Sequence, residues 1–166
     1  KIPVLYVTHS QQEVARLADY LVLLADGKVH AAGLLSEMLS RLDLPQTQDR
    51  EAASVWQVSV LEHEADYHLT CVAFAGGKLS LPALDAELGM LLRVKIYARD
   101  VSITLEIAQK HSILNVLPAV ITDMADDKNG QSMIRLQVGS QPLLAHITRK
   151  SAQLLNLRIG MAVYVQ

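Results

Sequence analysis

Apolar positions in this chain come in short runs separated by polar turns. Residues 4–8 form a brief, largely β-branched apolar stretch, the pattern of a strand buried on both faces of a parallel sheet. His9 follows at its carboxyl end. Ser10-Gln11-Gln12-Glu13 then has the S-x-x-E spacing of a capping box, and Val14, Leu17 and Ala18 give the predicted helix its apolar face. Residues 20–25 and 28–32 read as strands joined by a tight Asp26-Gly27 turn, and a short helix over 35–42 closes the unit.

The stretch 43–54 is polar, contains Pro45 and shows no period, so it is the predicted linker between residues 1–42 and a second domain over 55–166. Beyond it the pattern is all-β. Strands are expected at 55–61, 67–74, 78–81, 91–98, 116–124, 132–138, 143–148 and 162–166, with turns at Gly76-Gly77 and 126–130 and a short helix near 150–156. Gly89-Met90-Leu91-Leu92-Arg93-Val94-Lys95 resembles Gly160-Met161-Ala162-Val163-Tyr164-Val165-Gln166, each at the close of a strand-rich half. That repeat points to two small OB-type barrels, one per half.

Composition narrows the function classes. With 51% hydrophobic and 19% charged residues and a net charge of -2, the 166-residue chain is globular and lacks a basic field for a polyanion, which argues against nucleic-acid binding. Only residues 111–166 lean positive, with five Lys and Arg against three Asp. No apolar run approaches the ~20 residues of a membrane span. A single cysteine, Cys71, allows no internal disulfide and fits a reducing compartment. The opening Lys1-Ile2-Pro3-Val4 starts directly in a predicted strand, which suggests a piece of a longer protein.

Few residues carry chemistry by spacing alone. His9, at the end of a predicted buried strand and before a capped helix, stands where α/β sheets place ligand-binding groups, and its imidazole can donate to a phosphate oxygen. His63 and His68 are five apart, so they do not share a helical face as a zinc-protease pair would, and they read as part of a polar hairpin turn. Cys71 reads as a small buried hydrophobe, Glu62 and Glu64 as a solvated edge, and Trp56 as a lone aromatic that offers bases no stacking platform. No metal site is expected.

Two family resemblances add to this. Residues 2–10, with Glu13-Val14, Leu17-Ala18-Asp19, Leu23, Asp26-Gly27-Lys28-Val29 and Gly33, resemble the switch region of ABC-transporter ATPases. In that family the matching histidine contacts the γ-phosphate of ATP and helps hold the attacking water, so the resemblance gives His9 a catalytic role. The sequence contains no G-x-x-x-x-G-K-[ST] loop, no apolar strand ending in Asp-Glu and no Leu-Ser-Gly-Gly signature, so these residues alone are not expected to hydrolyse ATP.

Arg99-Asp100-Val101-Ser102-Ile103, 111–117 and Ala145-His146-Ile147-Thr148 with Ser151, Leu155, Leu157 and Gly160 resemble the molybdate-binding Mop or TOBE-type module, which forms the C-terminal domain of molybdate-importer ATPases. Sugar and sulfate importers usually carry Arg-Pro where this chain has Arg99-Asp100, which favours molybdate. The resemblance implies Ser112, Asn115, Thr148 and Ser151 as neutral donors to a tetrahedral dianion. Leu114 stands where the family often has arginine and suits packing inside the barrel.

The expected fold is therefore an α/β tail of a P-loop ABC ATPase domain followed by an all-β, OB-like Mop/TOBE barrel module, with two barrel halves. The implied function is the ATP-binding subunit of a molybdate importer. It would use ATP and Mg, sense molybdate or tungstate, and lie peripherally on the cytoplasmic face of the membrane. Its implied partners are a second copy of itself, the membrane permease and, indirectly, a periplasmic or extracellular molybdate-binding protein. The competing readings are a stand-alone cytosolic oxyanion-binding module and an ATPase subunit of a sulfate or sugar importer. A Walker motif in sequence upstream would decide against the stand-alone module.

Overall fold

A computed structural model describes residues 2–44, 51–107 and 110–166. The N-terminal unit comprises α1 (Gln11–Leu17), the hairpin β1 (Tyr20–Ala25) and β2 (Lys28–Leu34), and α2 (Leu35–Ser40). Eight longer strands follow, β3 (Ala53–Glu64), β4 (Leu69–Phe74), β5 (Gly77–Pro82), β6 (Leu91–Tyr97), β8 (Leu117–Asp126), β9 (Gln131–Val138), β10 (Gln141–Thr148) and β11 (Ala162–Val165). The two-residue strand β7 (Ile103–Thr104) lies between β6 and β8, and α3 (Arg149–Leu154) lies between β10 and β11.

The β strands form one sheet in the order β5-β4-β3-β6 and another in the order β10-β9-β8-β11-β7. The two are built to one pattern. In each, the first strand pairs with the second across a bulge, after Val60↔Val72 in one sheet and after Ile121↔Leu136 in the other. The second pairs with the third as Val72↔Leu79 and as Leu136↔Leu143. The closing strand returns to the first as Leu91↔Ser59 and as Ala162↔Val120. Even the entry to that strand repeats: Gly89 N–H donates to the Val60 carbonyl at 2.8 Å, and Gly160 N–H to that of Ile121 at 2.7 Å. Both glycines have positive φ, 79° and 86°, which explains why Gly precedes Met at each place. The sequence repeat is thus a structural repeat.

The halves do not have separate cores. Trp56, Val58 and Val72 of the first sheet share one buried cluster with Ile121, Ile134, Leu136 and Val163 of the second. Trp56 is 1% exposed, leans on Phe74 with ring centroids 4.6 Å apart, and donates from Nε1 to the Pro142 carbonyl of the other sheet at 2.7 Å. A buried indole N–H without that acceptor would be costly. The two halves are further interlocked because β7, which follows the first half, pairs with β11 of the second, Val165↔Ile103.

On β3, even positions such as Trp56 and Val58 face this core, so Val55 and Gln57 face outward, as period-two alternation requires. The N-terminal unit covers that outer face. Val55 joins Ala15 and Leu35 in a buried cluster, with Val14, Ala18 and Leu39 packed against it. The hairpin's inner residues Leu21, Leu23 and Ala31 pack on Met38 and Leu44. Its outer face, with Tyr20, Val22, Leu24, Val29 and Leu34, is apolar and exposed.

Several expectations change. Residues 4–8 form no strand; 4–7 are exposed and Thr8 is half-buried, and every strand pair among the described residues is antiparallel. A strand needs a backbone partner, and none of the described residues supplies one for this run. The parallel α/β sheet is therefore absent among the described residues. Half of the predicted linker, 45–50, lies outside the described residues, and β3 already begins at Ala53. The two expected barrels share a single core, because each sheet has one apolar face and each covers the other's. Leu114 is 68% exposed and so is not packed in the barrel. Cys71 is half-buried, on the face of β4 away from Val72.

The tips of the two repeated hairpins touch, and there side chains are excluded. A Cβ on Gly139 would lie 2.5 Å from Gly76 Cα, and its φ of 57° adds strain. Gly139→Ala is expected to lower unfolding free energy by about 2–3 kcal/mol, whereas Gly89→Ala, with open space around it, costs only about 1 kcal/mol. Equal urea midpoints for the two variants would contradict this packing.

Candidate functional site

His9 lies at an exposed bend one residue before the N-cap of α1. Ser10 caps the helix, its Oγ accepting from Glu13 N–H at 3.3 Å. The expected box is only half formed. Glu13 turns away from the Ser10 amide, which donates instead to Thr8 Oγ1 at 3.0 Å, and the carboxylate accepts from the hydroxyls of Thr8 and Tyr6. The nearby Glu13 charge holds the Tyr6 phenol above its ordinary pKa, because a second negative charge beside it is unfavourable. These bonds fix the segment leading to His9 through its neighbours while the imidazole faces solvent.

The four predicted anion donors fall into two pairs. Ser112 is exposed, three residues before Asn115. The Asn115 amide is engaged by the fold: its Oδ1 accepts from Ser80 N–H at 2.8 Å and its Nδ2 donates to the Ser80 carbonyl at 2.9 Å, extending the edge of β5 as another strand would. Thr148 is the N-cap of α3. Its Oγ1 accepts from Ser151 N–H at 3.0 Å and lies 2.7 Å from the Ser151 hydroxyl. Asn115 precedes the start of β8, whereas Thr148 pairs with Gln131 beside the end of β8. Nine residue steps of β8 separate the two levels, about 30 Å along the strand contour. A single copy does not gather all four donors around one anion.

Arg149, beside Thr148, was not singled out by spacing. Its guanidinium donates to the Asp127 carbonyl and its Nε lies 3.1 Å from Asp126 Oδ2, at ion-pair distance but not aligned for a hydrogen bond. Asp127 in turn shapes the β8–β9 turn. The Gln131 and Asn129 amides both donate to its Oδ1 at 2.8 Å and, Gln131 first, hold its carboxyl below the usual carboxylate range. Arg149 and Asp126, with Arg158, Asn156 and Met124, line an open cleft of about 310 Å³. The positive lean of the last third was the only sequence signal for it. Among the described residues no three His, Cys, Asp or Glu converge as a metal site. His63 is structural: Nε2 meets the Ala86 carbonyl at 2.8 Å and Nδ1 the Thr70 hydroxyl at 3.0 Å.

Asn115→Asp keeps an acceptor for the Ser80 amide but turns its second oxygen toward the Ser80 carbonyl. It is expected to cost about 2 kcal/mol of stability. Chemical denaturation that found the variant as stable as the parent would show that the amide does not bridge the edge.

Comparison with known proteins covers the whole chain. The TOBE domain family matches residues 111–166. The molybdenum import ATP-binding protein ModC of Albidiferax ferrireducens is 49% identical over 166 residues, covering 100% of this chain and 45% of that protein. ModC of Aromatoleum aromaticum is 46% identical, covering 99% of this chain and 44% of that protein. The chain thus spans less than half the length of these relatives. Among solved structures, the molybdate-bound form of the cytoplasmic molybdate-binding protein ModG shares the fold, with a TM-score of 0.59 over 68% of this chain and 87% of that one at 16% identity. No helix among the described residues is long and apolar enough to cross a membrane. Residues 111–166 accordingly match the TOBE domain within an OB-like β module, and over its full length the chain is similar to a part of the molybdenum import ATP-binding proteins.

Proposed function

We propose that this chain is the C-terminal part of the ATP-binding subunit of a molybdate ABC importer. Residues 1–42 would be the tail of the ATPase domain, 43–54 the connection and 55–166 a regulatory TOBE module. The observation that carries this reading is that similarity to the molybdenum import proteins runs through the N-terminal unit as well as the β module. A stand-alone oxyanion-binding protein, which the ModG likeness keeps as the second reading, leaves the N-terminal unit unexplained. The exposed apolar face of the β1–β2 hairpin supports the first, since exposed patches of this kind mark surfaces that another unit covers.

In the complete subunit, His9 would donate to the γ-phosphate of ATP and orient the attacking water. Phosphoryl transfer depends on positioning and on stabilising charge as it develops, and an imidazole N–H donor just before a helix start suits that task. The sequence contains no G-x-x-x-x-G-K-[ST] phosphate-binding loop, so that part would come from elsewhere in the complete subunit. Two such subunits would work on the cytoplasmic face of the membrane, with the permease between them and a molybdate-binding protein feeding it.

The β module would sense molybdate or tungstate through Ser112, Asn115, Thr148 and Ser151. Because the two donor pairs stand at opposite ends of β8, a second copy would supply the pair that the first lacks. Anion binding would then favour one arrangement of the dimer and feed back on transport.

His9→Ala in the complete subunit should leave ATP binding near normal and remove most hydrolysis; full turnover would refute its role. Calorimetric titration of this chain with molybdate, tungstate and sulfate in parallel should show saturable binding of the first two only. Thr148→Ala and Ser112→Ala should each weaken it by about tenfold, the loss of one hydrogen bond to a charged group. Absence of binding would reassign the module to spacing or dimerising the ATPases.

A further inference from the structure

Helix α1 is mounted on the β module at the end away from His9. The last carbonyls of any helix lack intrahelical partners. Here Arg93, on β6, donates from Nη1 to the carbonyls of Ala18 at 2.8 Å and Arg16 at 3.2 Å, and from Nη2 to the Asp19 carboxylate. Arg93 pairs with Gln57 across the β3–β6 ladder and shares the outer face of that sheet with Val55, on which Ala15 and Val14 of α1 pack. A planar fork that binds two carbonyls and a carboxylate together fixes both the height and the direction of the helix end, which a point charge would not.

The other end of the same helix carries His9. α1 is seven residues long, about 10 Å at 1.5 Å per residue, with an N-cap at Ser10 and a C-terminal carbonyl cluster held by Arg93. A hydrogen-bonded helix this short moves as one piece, so a shift of β6 displaces the Ser10 end and the imidazole before it. Among the described residues the exposed His9 side chain makes no hydrogen bond that would absorb such a shift, and its neighbours Thr8 and Ser10 are tied to α1 through Glu13.

We propose that Arg93 is a positioning residue for His9, the point at which the β module sets the placement of the switch histidine. This rests on the reading of His9 as the group at the γ-phosphate. It also supplies a route by which the state of the TOBE module reaches ATP turnover: β6, paired to β3 of the shared core, carries Arg93 on its outer face, and Arg93 grips the helix that bears His9. The coupled element is a single short helix, not a chain of side chains through the core.

The test uses the complete ATP-binding subunit. Arg93→Ala should lower kcat for ATP hydrolysis about tenfold, equivalent to about 1.4 kcal/mol, with KM for ATP unchanged. Arg93→Lys, which restores the charge but not the fork, should fall between. Asp19→Ala, which removes the carboxylate arm of the grip but leaves both carbonyl bonds in place, should lower kcat by less than Arg93→Ala does. If Arg93→Ala is too unstable to assay, Arg93→Lys decides, and parental kcat for that variant overturns the inference. Parental kcat per folded molecule in Arg93→Ala, accompanied only by a lower melting temperature, also overturns it and leaves a purely structural cap. His9→Ala separates the two levels. If His9→Ala keeps full turnover, the reading of His9 fails; if it loses turnover while Arg93→Ala does not, only the inference about Arg93 fails.

Discussion

Neither β sheet of this protein can bury its apolar face without the other, and Trp56 is where that dependence is most concentrated. The indole is almost fully enclosed, and its only polar atom reaches across to a carbonyl of the second sheet. The orientation of the sheets must therefore satisfy a hydrogen bond as well as fill volume. The meeting of the hairpin tips at Gly76 and Gly139 follows from the same close approach. So does the repeat in register, because two sheets of one pattern offer matching apolar faces.

With the inner faces committed to each other, the outer face of β3 and β6 is left to hold the N-terminal unit. It does so by a small apolar cluster around Val55 and by Arg93 at the end of α1, while Arg135 on β9 of the other sheet reaches Glu37 of α2 at 2.7 Å. Salt bridges this exposed contribute little to stability. Their importance lies in direction: forked, charge-assisted bonds orient a helix that apolar contacts alone would leave free to rotate or slide. The hairpin then presents its second apolar face outward, consistent with an element that is sandwiched in a larger assembly.

The polar residues proposed for the anion show how closely ligand donors and structural bonds overlap. Asn115 completes the edge of β5 and Thr148 caps α3, so both already have partners. An anion there would compete with or add to bonds that the fold uses, which couples occupancy to the local backbone. Arg149 and the turn at Asp127 stand next to the Thr148 pair and give that end of the sheet its charged character.

The eight longer strands of the β module, its turns and α3 were legible in the sequence to within a few residues, because each is a local pattern of alternation, glycine and capping residues; the two-residue β7, which exists only through its pairing with β11, was not. Gly89 and Gly160 were legible as a repeat since glycine takes the positive φ before each closing strand most readily. Ser10 was legible as a cap, and the resemblance to molybdate-importer ATPases was carried by contiguous motifs. Tertiary structure decided what depends on distant partners. Residues 4–8 have a strand's composition, yet a strand exists only where another backbone pairs with it. Leu114 looked like core and is exposed, because apolarity does not say which face of a turn meets the barrel. Arg93 carried no motif, and its place at the end of α1 arises only when β6, far along the chain, folds beside that helix. The donor pairs likewise appeared as one set along the sequence, and it is the length of β8 that holds them apart.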